Sequence, residues 1–176
     1  MNYILKPLEG VCWKNKNGKE EWIRFGDSQK RVAEVFGAPE DTSGNTHMYR
    51  KNQLQFTFNE QGGVASIDFF RGSDDTIHPV IFGLDVFCTD SDVVIAKLEE
   101  ESHEMVEDCL EYRFVDLGVD LMRGGKAGDL EIFIEEMKED CIDPESEFGK
   151  EQIKREEEQI HYCQCISLGA KGFFKA

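Results

Sequence analysis

Phe25-Gly26-Asp27-Ser28, Gln29 through Phe36, Gly37-Ala38-Pro39, then Leu54-Gln55-Phe56-Thr57-Phe58 and Val64 through Phe70 decide the fold. Asp27 and Ser28 each carry a side-chain oxygen that can accept an orphan backbone N–H at a helix start. Val32, Val35 and Phe36 follow at i, i+3 and i+4, the spacing of a helix with one buried stripe. Gly37 supplies a left-handed stop and Pro39 prevents a restart. Residues 40–47 read as a polar loop. Leu54, Phe56 and Phe58 alternate with Gln55 and Thr57, the period of a half-buried strand. Asn59 to Gly63 turns the chain, and Val64, Ile67 and Phe69 lie in the return strand. The unit over 25–70 is a helix followed by two antiparallel strands.

A looser echo occupies 82–123. Phe82 to Val86 leads into Thr89, Asp90 and Ser91, all good caps, with Asp92 in the first turn, where negative charge suits the helix dipole. Val94, Ile95 and Leu98 form the stripe of a helix predicted to reach Glu104. Glu111–Val115 and Val119–Met122 read as strands around Asp116-Leu117-Gly118. Upstream, Asn15-Lys16-Asn17-Gly18 between Gly10–Trp13 and Glu21–Phe25 predicts a hairpin, because Asn-Gly tolerates positive φ; Trp13 and Trp22 are expected on one of its faces. Downstream, Leu130, Phe133, Ile134 and Met137 predict a helix over 129–140, although Ile132 off the stripe leaves a strand open. Glu145–Glu158 reads as an exposed helix. Gln159–Leu168 reads as a strand with Tyr162, Gln164 and Ile166 on one face and His161, Cys163 and Cys165 on the other. Gly169, Gly172 and Phe173-Phe174 predict a final strand or a tail packed back on the sheet. No linker divides the chain. The expectation is one α+β domain over 1–176: an antiparallel sheet with helices on one face, two helix-strand-strand units, and C-terminal helices and a strand over 129–176.

The 176 residues carry a formal net charge of −16. Residues 1–88 hold 12 acidic and 10 basic side chains, and residues 89–176 hold 24 and 10, so −14 of the charge lies in the second half. Such a field repels nucleic acid and anionic membrane and favours a basic protein partner. The N-terminal Met1 to Pro7 lacks the basic and apolar regions of a signal peptide, and no apolar run is long enough to span a bilayer. The six cysteines are then expected as reduced thiols in the cytoplasm.

His161-x-Cys163-x-Cys165 is the best metal candidate by spacing, but no second pair completes a four-ligand set. Asp90-Ser91-Asp92 lacks the glycine and the distal Glu of a calcium loop. No nucleophile elbow, phosphate loop or dinucleotide fingerprint occurs. The chain therefore reads as non-enzymatic, with no cofactor and no metal. What stands out is acid: Glu99, Glu100 and Glu101 with Glu104, Glu107 and Asp108; Glu131, Glu135, Glu136 and Glu139 with Asp140; and Glu156-Glu157-Glu158. These clusters either form solvated faces or pair with Lys and Arg on a partner.

The pattern Phe25-Gly26-x-Ser28-x3-Val32-x3-Phe36-Gly37-x-Pro39, followed by Tyr49, Leu54-x-Phe56-x-Phe58 and Gly63-Val64-x3-Ile67, resembles the repeat of the β-lactamase-inhibitor-protein and small outer-membrane-assembly lipoprotein folds. In a chain without export signal or lipidation cysteine, the likeness points to small, acidic, cytoplasmic immunity proteins of bacteria. The resemblance implies stoichiometric occlusion of a basic toxin domain, often a nuclease, through an acidic surface of ten residues: Glu99, Glu100, Glu101, Glu104, Glu107, Asp108, Glu131, Glu135, Glu136 and Glu139. Two other readings stay open: a small-ligand or scaffold protein with a cleft between the units, and a metal enzyme using His161, Cys163 and Cys165.

Overall fold

A computed structural model describes residues 1–72, 76–126 and 128–175. The chain is α+β. The strands β1 (Asn2–Lys6), β2 (Gly10–Lys14) and β3 (Glu20–Arg24) form a meander, and α1 (Gln29–Phe36) follows. Next come β4 (Asp41–Ser43), β5 (Thr46–Tyr49), β6 (Leu54–Phe58) and β7 (Val64–Phe70), then β8 (His78–Ile81) and β9 (Leu84–Asp85). The second half holds α2 (Ser91–Glu101), β10 (Met105–Asp108), β11 (Glu111–Phe114), β12 (Val119–Arg123), α3 (Asp129–Glu139), α4 (Glu147–His161) and β13 (Cys163–Gly169). Two sheets result: a five-stranded one in the order β3-β2-β1-β8-β9, and an eight-stranded one in the order β10-β11-β12-β13-β7-β6-β5-β4. The large sheet is antiparallel throughout; among the described strands, β1 and β8 make the one parallel pair.

The first unit forms as its residues dictate. The Ser28 hydroxyl accepts from the Arg31 N–H at 3.2 Å, and Gly37 ends α1 with φ of 85°. Val32 is fully buried, and the Phe36 ring packs 5.5 Å from Phe56 and 5.4 Å from Trp13. Residues 40–47 are not only a loop: β4 and β5 pair there, Asp41 with Met48 and Ser43 with Thr46. All of β4 is exposed, so no apolar alternation marked it. In the hairpin, Trp13 is buried in the core while Trp22 lies opposite Cys12, so the two rings face opposite ways, against expectation. Trp22 instead stacks under the Arg24 guanidinium at 4.3 Å.

The second unit is a closer copy than its residues suggest. Strands β7 and β13 pair at the centre of the large sheet, and outward from them run β6, β5, β4 on one side and β12, β11, β10 on the other. Adding 99 to Ser66 and Phe70 gives Cys165 and Gly169, and the Cys165–Phe70 pair then becomes the Gly169–Ser66 pair. An approximate twofold axis thus passes through the central pair. Both neighbouring ladders slip at the matching place, between Thr57 and Phe58 and between Met122 and Arg123. Both helix caps make matching bridges, Ser28 with Gly63 and Asp90 with Tyr162. Each unit is a helix and a four-stranded meander rather than a helix and two strands. The second helix ends at Glu101, not Glu104, which frees Met105–Asp108 to become β10 at the sheet edge.

The two units differ in one connection. Where the first turns through Asn59–Gly63, the second runs through Gly124–Tyr162 and includes both α3 and α4. Residues 129–139 are helical, settling the helix-or-strand question, and α4 continues through His161, beyond the predicted end at Glu158.

One face of the large sheet meets α1, α2 and the small sheet through Phe56, Phe58, Ile67, Phe69, Phe114, Leu121 and Ile166, none of them accessible. The other face is polar. Gln55, Asp68, Ser167, Asp120 and Arg113 stand opposite one another on five adjacent strands, and directly opposed residues share a face. Gln55 donates to Asp68 at 2.9 Å and Arg113 to Asp120 at 3.1 Å. The tail folds back here as expected: Phe173 and Phe174 fill the space a Cβ on Gly169 would need.

Candidate partner-binding surface

The ten acidic residues implied for partner binding are all exposed. They do not form one patch by element. Glu99, Glu100 and Glu101 close α2, Glu104 lies in the following turn, and Glu107 and Asp108 sit on the edge strand β10. Glu131, Glu135, Glu136 and Glu139 lie on α3. Internal pairing takes three of the ten. Lys97 bridges Glu100 at 3.1 Å and Glu101 at 2.7 Å, and Lys126 reaches Glu107 at 2.7 Å. The Lys126 ammonium beside Glu107 holds that carboxyl below the usual carboxylate range. Among the described residues, Glu99, Glu104, Asp108 and the four α3 glutamates make no ion pair.

The helical insert concentrates the charge. Residues 124–162 hold 13 acidic and 5 basic side chains, −8, which is half of the net charge of the chain. Its helices pack mainly on each other. Gly125 lies against Ile160 and Asp129, so the start of α3 meets the end of α4 and the two helices run antiparallel. Met137 is the buried apolar side chain of the pair. Two apolar side chains point outward instead: Ile132 is 56% exposed and Phe148 57%, the most exposed large hydrophobics of the described chain. They stand near opposite ends of the hairpin. In the sequence Ile132 lies off the apolar stripe of its helix, whereas Phe148 sits in a helix polar almost all round and breaks no stripe; the structure shows that both face outward.

The His161, Cys163, Cys165 set is not brought together. His161 ends α4, and its Nδ1 faces Asp90 at 2.9 Å. Cys163 belongs to the core cluster, whereas Cys165 lies outside it, on the polar side with Asp68 and Asp120. The register slip at Met122/Arg123 breaks the period of two that the spacing assumed. Burial pushes both thiols up to about 12, the behaviour of inert packed cysteines.

A different cluster went unread: His78, Asp85 and Cys88, whose ligating atoms lie within 4.8 Å of one another. Its sequence signal was Asp-x2-Cys following a histidine across a two-residue turn. Cys88 also lines a cleft of about 660 Å³ bounded by Arg71, Phe87, Arg155, Glu158 and Tyr162. Arg71 stacks on Tyr162 at 4.6 Å and donates to the Glu158 carbonyl. Polar side chains, Arg71, Arg155, Glu158, Gln159 and Gln164 among them, make up most of these walls, unlike the mostly apolar lining of small-ligand pockets.

No helix among the described residues is long and apolar enough to cross a membrane. A scan against protein-family models and searches of curated proteins and of solved structures found no match to this chain.

Proposed function

We propose that this is a non-catalytic cytoplasmic binding protein of the toxin-immunity kind, which neutralises a basic partner by occupying its surface in a one-to-one complex. The insert carries this reading. A connection that needs only a tight turn in one unit is expanded in the other into two helices holding half the net charge and two outward apolar side chains. Acidic faces accelerate encounter with a basic surface, and apolar anchors such as Ile132 and Phe148 supply the affinity that charges alone do not. The acids of α2 and β10 extend the same field. If the partner is a nuclease, the carboxylates stand where its substrate phosphates would lie.

The test is binding to the basic protein encoded beside this chain's gene, measured across a salt series. Reversing Glu131, Glu135, Glu136 and Glu139 to Lys is expected to slow association more than about tenfold. Phe148→Ala is expected to speed dissociation at a cost above roughly 1 kcal/mol. Binding that ignores both salt and charge reversal returns the acidic faces to a role in solubility.

A further inference from the structure

Three donor groups of different chemistry converge at the junction of the small sheet with α2. His78 opens β8 and Asp85 closes β9, joined through Phe82 and Gly83, both at positive φ (48° and 87°), as a two-residue hairpin requires. Val80 pairs with Asp85, so His78, two residues back, shares the face on which the Asp85 side chain stands. The chain then turns tightly: the Asp85 carbonyl accepts from the N–H groups of Cys88 and Thr89, which returns Cys88 over Asp85. Asp85 is held in place as well. Its Oδ1 accepts from the Phe87 N–H at 3.2 Å, which leaves Oδ2 facing His78 Nδ1 at 2.8 Å. Cys88 Sγ lies 3.8 Å from that same nitrogen.

The shared nitrogen decides between two chemistries. In a nucleophile relay the imidazole stands between acid and thiol, with one on each ring nitrogen. Here both face Nδ1, so the three donors surround a point instead of forming a line. Bonds of roughly 2.0–2.3 Å to a tetrahedral ion place its ligands roughly 3.3–3.6 Å apart. The 2.8 Å His78–Asp85 contact then opens by about half an ångström, and Cys88 and Asp85, within 4.8 Å of each other, close by up to about 1.3 Å, shared between the two side chains.

We propose that His78 Nδ1, Asp85 Oδ2 and Cys88 Sγ form a site for a borderline-soft divalent ion, best suited to Zn²⁺. Thiolate with imidazole selects against Mg²⁺ and Ca²⁺, which take oxygen ligands. Binding replaces the Cys88 thiol proton, which passes to solvent. Three protein ligands leave a fourth position for water or a donor from another molecule. The Phe87 N–H is the outer contact that orients the carboxylate. The ion would clamp the β8–β9 hairpin to the entry of α2.

The test uses the full chain, stripped of metal and titrated with Zn²⁺ against a chromophoric chelator, then with Co²⁺. The expected result is one ion per chain and a thiolate-to-cobalt band in the near ultraviolet. Cys88→Ser abolishes that band. His78→Gln and Asp85→Asn each weaken binding at least about tenfold, the loss typical of disturbing even an outer contact. Cys109→Ser, at another exposed thiol, changes nothing. Should either polar variant fail to fold, Cys88→Ser, at an exposed position, still decides the question by its spectrum. Failure to bind one ion per chain, or a cobalt–thiolate band that survives Cys88→Ser, overturns the site.

Discussion

Asp68 carries an unusual load for one side chain. It stands in mid-sheet, accepts from Gln55 and is bonded to Ser167, and yet burial pushes its carboxyl above the usual carboxylate range. Asp120, one strand beyond Ser167 on the same face, is raised by burial too, against the pull of Arg113. A carboxyl whose folded pKa exceeds its unfolded value favours the fold while protonated, so its contribution is full below the unfolded pKa of about 4 and is lost as pH rises through the folded value. Asp68→Asn keeps an acceptor for Gln55 and a donor for Ser167 without the charge. It is expected to raise the melting temperature at neutral pH, with the gain vanishing at pH below about 4. A mutant that melts lower at pH 7 would show that the ionised carboxylate is the stabilising form. Arg123 shows how the two units diverge at one position. It matches Phe58 in the twofold, and where Phe58 fills the core, Arg123 sits with its side chain 10% exposed and bridges Asp92 at 2.7 Å.

At the level of elements, the insert is separable by construction. Phe58 matches Arg123 and Gly63 matches Tyr162, so Asn59–Gly63 can stand in for everything from Gly124 to Tyr162. A chain with that replacement is expected to unfold cooperatively, to lose much of its helical circular dichroism, and to lose the basic partner. A replacement that leaves the chain unfolded would mean that α3 and α4 are part of the foundation. This geometry also explains what could be read in advance. The first unit was legible because cap, stripe, stop and turn all lie within 25–70. The second was half legible because its fourth strand is displaced beyond the insert. β4 and β10 were missed for a common reason: they are short edge strands with little apolar burial, and their only ladder is on one side. Edges of this kind are kept polar or charged to discourage pairing with other chains, so their alternation is erased. The acidic residues were found in the sequence, whereas Ile132 and Phe148 needed the structure to show that they face outward.

For the molecule as a whole, a charge of −16 means self-repulsion. Raising salt from about 0.01 M to about 0.15 M shortens the screening length from about 30 Å to about 8 Å. The melting temperature is expected to rise by roughly 2–4 °C if about 1 kcal/mol of repulsion is relieved. A melting point that falls instead would show that the ion pairs of Lys97, Arg113 and Lys126 outweigh the excess charge. The position of β13 has a consequence for the way the chain is made. β13 follows every other described strand in the chain, yet it is a central strand of the large sheet, lying between β7 and β12. At roughly 5–20 residues per second, β7 waits on the order of 5–20 s for its partner. During that time Ile67 and Phe69 lie beside an open edge on the nascent chain. The first unit leaves the ribosome with its own helix and meander complete but its inner border uncovered, so the newborn chain is a substrate for chaperones until β13 arrives.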